Sequence, residues 1–215
     1  RMSYIAHYDP LTKLPNRTLF LDHLEVAIKI ALTDYSSVTL LLINMDDFKR
    51  INDSLGYRKG DTLLCKIADA IKQCSRDIGL LCRPCSDEFA LIINAIEDKP
   101  SIRLIVDKVL AALSLPLDAD NVSKTSAGIG ISRFPGDANS APDMLKNADI
   151  ALSEAKRKGK NHYEFFTPNL SHKLITRIES EHDLKLAIKH QPHQPQFSLH
   201  YQPIIEIATS RLYGA

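Results

Sequence analysis

No apolar run in the chain approaches the roughly 20 residues that a membrane-crossing helix needs, and the N-terminus lacks the basic-then-apolar order of a secretory leader. The chain therefore reads as soluble and cytoplasmic. It starts and stops abruptly, at Arg1-Met2-Ser3 and Tyr213-Gly214-Ala215, so it is expected to be a piece of something larger whose anchor or sensor lies upstream. Charge of one sign is also missing. With Lys+Arg 27 against Asp+Glu 26 the formal charge is +1, which supplies no general field toward nucleic acid or an anionic membrane. Any anion site must be local. Cysteine is scarce: Cys82 and Cys85 form a Cys-x-x-Cys, but no second close pair of Cys or His completes a zinc site, so all four cysteines read as reduced thiols. There is no GxxxxGK[ST] loop, which excludes a P-loop enzyme.

What is present suits one core with some length over: 215 residues, 44% hydrophobic and 25% charged. Leu19, Phe20, Leu24, Ala27, Ile28 and Ala31 recur at helical spacing from Pro15 to about Leu32. Val38–Met45 is a nearly continuous apolar run ended by Asp46-Asp47, the pattern of a strand buried on both faces. Gly60–Cys74 carries a second amphipathic helix, and Ile78–Arg83 and Phe89–Asn94 read as strands joined by a hairpin turn that lifts Asp87 and Glu88 to its tip. A helix over 101–114, a glycine-interrupted strand over 122–132, and a helix started by Ser140 that ends at Lys156-Arg157-Lys158-Gly159-Lys160 follow. A short strand, His162–Phe166, completes the domain. Alternating strands and helices that include a hairpin argue for an α+β fold, with helices packed on the faces of a sheet. Beyond Pro168 come a charged helix, a polar break at Gln191–Pro195 and a strand over Phe197–Ile207, giving a domain over 1–168, a linker over 169–196 and a lone strand over 197–215. Such a strand needs a partner from the main domain, a second chain or sequence beyond it.

Chemistry is suggested by an Asp-rich strand end (Asn44, Asp46, Asp47), acids at a hairpin tip (Asp87, Glu88), the pair Asn52 and Asp61, and a basic helix end. Acids able to converge on a cation, with lysines opposite, are the parts needed to handle a nucleoside triphosphate through Mg²⁺. Each has a plain alternative. Asp87 and Glu88 suit a solvated turn, Asn52 and Asp61 suit helix caps, and Lys156, Lys158 and Lys160 suit a helix C-terminus.

Four ordered motifs resemble the GGDEF family of diguanylate cyclases over residues 9–166. They are Asp9–Arg17 (DPLTKLPNR), Phe48–Gly56 with Gly60-Asp61, Cys85–Phe89 (CSDEF) at the signature pentapeptide, and Ala148-Asp149 through Lys156 and Gly159–Asn161. The resemblance implies a nucleotidyl-cyclase-like, mostly antiparallel central sheet flanked by helices. It also implies a homodimer in which each domain holds one GTP with Mg²⁺ and the two nucleotides join into cyclic di-GMP. Carried over by position, Asn52 and Asp61 bind guanine, Asp87 is a metal ligand and proton acceptor, and Glu88 assists the metal. Asn44 and the Met45 carbonyl hold the cation, and Lys156 and Lys160 touch phosphate.

Departures from the family are expected to impair the reaction. Asn44 stands where the family has an Asp, which lowers Mg²⁺ affinity. Cys85-Ser86 replaces Gly-Gly, so their Cβ atoms are expected to obstruct positive φ angles and close approach of the nucleotide. Lys160 replaces an Arg and gives up a bidentate fork. Tyr57 replaces a His, and the inhibitory RxxD motif becomes Arg76-Asp77-Ile78-Gly79 without its final acid. Residues 177–215 resemble the opening of an EAL phosphodiesterase domain, which implies cyclic di-GMP as a partner of the longer protein, with Gln202 lining its pocket. Three functions follow: a GTP-sensing regulatory module for that EAL domain, a structural or dimerising spacer, and a working cyclase.

Overall fold

The computed structural model describes residues 6–96, 98–114, 124–190, 200, 202–206 and 211–214. The chain divides into two compact units, 1–171 and 172–215. The first is built on a five-stranded sheet of order β2-β3-β1-β4-β5. Its strands are β1 (Val38–Met45), β2 (Gly79–Cys85), β3 (Glu88–Asn94), β4 (Ala127–Phe134) and β5 (Tyr163–Phe165). β1 is central and antiparallel to both neighbours, β2 is antiparallel to β3, and β5 alone is parallel, to β4. This is the mostly antiparallel α+β sheet that the sequence pattern and the family resemblance imply.

The apolar run of β1 is explained by helices on both faces. Leu41, Ile43 and Met45 join Phe89, Leu91 and Ile129 in a core closed by α2 (Phe48–Leu55), α3 (Tyr57–Ser75) and α4 (Lys99–Leu113). Leu40 and Leu42 join Ala90, Phe20, Leu24, Met144 and Leu152 in a second core, closed by α1 (Arg17–Asp34) and α5 (Ala141–Lys158). Each such buried Leu, Ile, Phe or Met side chain contributes about 1.5–3 kcal/mol of transfer free energy.

Local signals set the helix ends. Asn16 caps α1 by accepting from Leu19 N–H at 3.2 Å, so the helix begins at Arg17, two residues past Pro15. Pro15 is instead tied by its carbonyl to Arg83 N–H. Ser140 caps α5 with its hydroxyl accepting from Asp143 N–H at 3.2 Å, as its spacing implies. The helix expected from Gly60 starts earlier, at Tyr57, because Gly56 at φ 83° breaks the chain into two helices just before it.

In the second unit the strand expected over Phe197–Ile207 is, among the described residues, a strand only at β6 (Ile204–Glu206), with His200, Gln202 and Pro203 outside it. It does not stand alone: it pairs antiparallel with β7 (Arg211–Gly214), a partner the sequence pattern did not suggest. The polar break 191–195 and residues 122–123 of the glycine-interrupted strand lie outside the described residues. The charged helix is α6 (Pro168–His190), in which Arg177 pairs with Glu181 at 2.8 Å.

Candidate nucleotide site

β1 ends in the middle of the sheet, and its last residues meet the C-terminal end of α5. Asn44 faces Glu88 of β3 on one side and Gly128 of β4 on the other. Lys156, near the end of α5, reaches back to this point. Its ammonium donates to Asn44 Oδ1 and to the Met45 carbonyl at 3.0 Å, and stands 3.4 Å from Asp46 Oδ1. The next segment continues the closure. Lys160 pairs with Asp47 at 2.7 Å, and Asn161 N–H donates to Asp46 Oδ2 at 3.3 Å. The hydrogen bond and charge of Lys160 hold the exposed Asp47 carboxyl below its usual range. Asp47 and Asn161 are both left-handed, at φ 53° and 57°, a conformation that Asn and Asp tolerate better than most residues.

The hairpin tip is Ser86-Asp87, flanked by the Cys85/Glu88 pair. Its geometry corrects one expectation. Neither Cys85 nor Ser86 adopts a positive φ, so the glycine-free turn closes without left-handed strain. The β2–β3 register shifts between Cys82 and Cys85 instead, and that irregularity absorbs the change of direction. Arg83 fastens the turn from within: Nε donates to the Ser86 carbonyl at 3.1 Å, Nη2 donates to the same oxygen, and Nη1 pairs with Asp9 at 2.8 Å. Asp87 accepts from Ser86 Oγ at 3.0 Å, and its carbonyl accepts from Met45 N–H at 3.1 Å.

Glu88 points to the α1/α5 face of the sheet, the face of its register partner Asn44. It lines a cavity of about 380 Å³ with Arg17, Lys146 and Asp149. Burial pushes its carboxyl pKa up, with further upward pressure from Asp149 and Asp87, against a hydrogen bond from Cys85 and the charge of Arg17. The two acids of the tip therefore occupy different surroundings. Cys85 is exposed and Cys82 is buried in the second core, where desolvation pushes the thiol up to about 12.

Asn52 and Asp61 lie on α2 and α3, which pack together directly after the β1 end. The Asn52 amide rests on the backbone of Gly60: a Cβ there would stand 1.9 Å from Asn52 Oδ1. That oxygen is buried and has no hydrogen-bond partner among the described residues, while Asp61, the next residue along α3, is exposed. Among the described residues no three His, Cys, Asp or Glu side chains gather into a group able to hold a metal ion.

Several contributors escaped sequence reasoning. Gly128 and Gly130 let α5 lie against β4, since a Cβ at 130 would meet the Ala148 carbonyl at 2.0 Å and one at 128 the Lys156 stem at 2.9 Å. The alternation Gly-Ile-Gly-Ile was the available signal: one strand face apolar, the other bare. The pairing of Asp46 and Asp47 with Asn161 and Lys160 had no local signal, because it joins positions more than a hundred residues apart.

The family described as diguanylate cyclase, GGDEF domain, matches residues 6–162. Among curated proteins, the chain is 36% identical over 211 residues to the bifunctional diguanylate cyclase/cyclic di-GMP phosphodiesterase MucR of Pseudomonas aeruginosa, covering 98% of this chain and 30% of that protein. It is 30% identical over 210 residues to the cyclic di-GMP phosphodiesterase NbdA of the same organism, covering 97% of this chain and 26% of that protein. The chain thus spans less than a third of either relative. Among solved structures, the GGDEF domain of TpbB (YfiN) from Pseudomonas aeruginosa superposes with a TM-score of 0.73 at 34% identity, over 78% of this chain and 99% of that one. With the family's match covering residues 6–162, which hold β1 to β4 and every position of the candidate site, the chain belongs to the diguanylate cyclase GGDEF domain family of cyclic di-GMP signalling.

Proposed function

We propose that this GGDEF domain is catalytically impaired and serves as a GTP-sensing module that regulates an attached EAL phosphodiesterase domain, of which residues 197–215 are the opening. The observation that carries the sensing role is the orphaned Asn52 Oδ1, buried without a partner beside Asp61. A buried acceptor left unmet costs about 1–3 kcal/mol, and a guanine ring offers N–H donors to meet both it and the Asp61 carboxylate. Impairment rests on Asn44, a neutral amide at the strand end, and on Glu88, whose surroundings favour its protonated form. Both weaken hold on a hard dication and the stabilisation of charge that develops during phosphoryl transfer.

Two relatives frame the regulatory part. MucR is named for both activities and NbdA for the phosphodiesterase alone, yet this chain matches both along nearly its whole length. GTP acts on an attached domain only through a difference in affinity for two conformations, and α6 is the covalent route from the GGDEF unit to β6. The test measures GTP binding by calorimetry and cyclic di-GMP formation by the 215-residue chain, then phosphodiesterase activity of the longer protein with and without GTP. Binding without turnover, lost in Asp61→Ala, and a GTP effect on phosphodiesterase activity are expected. Robust cyclic di-GMP synthesis, or no GTP binding, overturns the reading.

A further inference from the structure

We propose that Lys156 takes the place of a divalent cation in this domain, so that its nucleotide site works independently of metal. The inference deepens the GTP-sensing reading and rests on it for the identity of the nucleotide. An ammonium carries three donated hydrogens, and Lys156 finds three oxygens: Asn44 Oδ1, the Met45 carbonyl at 3.0 Å and Asp46 Oδ1 at 3.4 Å. Two of these are the oxygens that the family resemblance assigns to the metal.

Charge balance favours the lysine. Asn44 brings none, so Asp46 is the one carboxylate in contact with the ammonium, and a single positive charge neutralises it. A dication there would find one carboxylate, Asp46, beside two neutral oxygens, and would depend on the triphosphate and water for the rest of its shell. It also has to expel Lys156, whose side chain is only 32% exposed and whose Asp46 partner is 9% exposed.

Position reinforces the chemistry. The stem of Lys156 lies over Gly128, where any Cβ would crowd it, and the following segment is latched by Lys160 on Asp47 and Asn161 on Asp46. The ammonium is therefore held over the strand end from both directions along the chain. From there it holds the strand end in place of a metal, and a bound triphosphate draws at least one of its hydrogens off these oxygens onto a phosphate oxygen. Being monovalent and of low Lewis acidity, it binds phosphate without strongly polarising it.

The test uses the 215-residue chain and has two arms. In the first, Mn²⁺ alone is titrated and bound ion is read by electron paramagnetic resonance. The wild type is expected to immobilise no Mn²⁺ and the Asn44→Asp/Lys156→Met double variant to acquire a site, with circular dichroism confirming that the variant folds. In the second, GTP affinity is measured in excess Mg²⁺ and in excess EDTA. The wild-type values are expected to agree within about threefold, whereas the double variant gains about tenfold or more from Mg²⁺. Mn²⁺ held by the wild type, or GTP affinity that collapses about tenfold in EDTA, overturns the inference. If GTP binds under neither condition the sensing reading fails, and the Mn²⁺ arm alone decides the role of Lys156. Should the double variant not fold, Asn44→Asp alone is compared, and Mn²⁺ capture by the wild type remains the overturning result.

Discussion

Gly128 lies directly beneath Lys156: a Cβ on the glycine would stand 2.9 Å from Cγ of the lysine and 3.3 Å from its Cε. Two residues along the strand, the same helix leaves no such latitude. A Cβ at Gly130 meets backbone, the Ala148 carbonyl at 2.0 Å and Leu152 N at 2.4 Å. A side-chain stem can rotate away, and helix backbone cannot. Gly128→Ala is therefore expected to cost about 1–2 kcal/mol and to weaken GTP binding by moving Lys156, whereas Gly130→Ala costs about 3 kcal/mol or more by lifting α5 off the sheet. Thermal melts of the two variants check the order, which reverses if the helix simply translates.

The Asp9–Arg83 pair joins the entry motif to the signature hairpin. The Arg83 side chain is 7% exposed, and its three guanidinium nitrogens hydrogen-bond to Asp9 or the Ser86 carbonyl. Burial raises the Asp9 pKa, but hydrogen bonds from Thr12 and Arg83 outweigh it and hold the carboxyl below its ordinary range. Arg83→Met, which strands a partly buried carboxylate, is expected to cost about 3 kcal/mol. A depressed carboxyl contributes stability above its unfolded pKa and loses it as pH falls through the folded one. The stability gap between wild type and Asp9→Asn should accordingly be full at neutral pH and close in acid, as chemical denaturation across that range will read.

How much of this was legible in the sequence depended on the range of the interaction. β1 announced its double burial by a nearly continuous apolar run from Val38 to Ile43, interrupted at Thr39, and Ser140 announced its cap through Asp143 three residues on. The sequence pattern put Asn44 at a strand end, Asp87 at a hairpin tip and Lys156 near a helix end, and the structure has them there. Long-range partners were not legible: Lys156 on Asn44 spans 112 residues and depends on bare glycine at 128. The hairpin was misjudged for a related reason. A glycine pair in a family motif suggested left-handed backbone, but the register shift between Cys82 and Cys85 turns the strand without it. β7 was missed because Arg211–Gly214 is too short to carry a strand period.

Glu88 offers a test of opposite sign to Asp9. Its carboxyl is raised by burial and by the neighbouring Asp149 and Asp87. A raised carboxyl stabilises the fold below its unfolded pKa and loses that contribution as pH rises through the folded value. Glu88→Gln, which keeps shape and removes charge, should therefore be at least as stable as wild type at pH 7 and lose that advantage in acid. Paired melts from the ordinary glutamate range up to neutrality check this. A variant less stable than wild type at pH 7 would show that the carboxylate is held by favourable partners instead.

The inhibitory motif lost at Gly79 should not be restored by putting its acid back. In the family resemblance, Arg76 and an acid at position 79 form the two halves of a clamp on cyclic di-GMP. Here Gly79 opens the edge strand β2, opposite Ile93, and a Cβ on it would stand 2.2 Å from the Ile92 carbonyl and 3.2 Å from Ile93 Cγ1. The obstacle is backbone of the neighbouring strand, so Gly79→Asp has to pull β2 away from β3 before its carboxylate reaches solvent. That movement strains the hairpin that carries Ser86 and Asp87 and costs about 1–3 kcal/mol. The wild type, with Arg76 alone, is expected to bind cyclic di-GMP weakly. Gly79→Asp should melt several degrees lower and gain no tight site, since its acid does not stand where a partner to Arg76 is needed. Calorimetry with cyclic di-GMP on the wild type, Gly79→Asp and Gly79→Asp/Arg76→Ala, beside melts of all three, decides it. Sub-micromolar binding by Gly79→Asp that vanishes with Arg76→Ala, at unchanged melting temperature, would show that the edge strand accepts the acid after all.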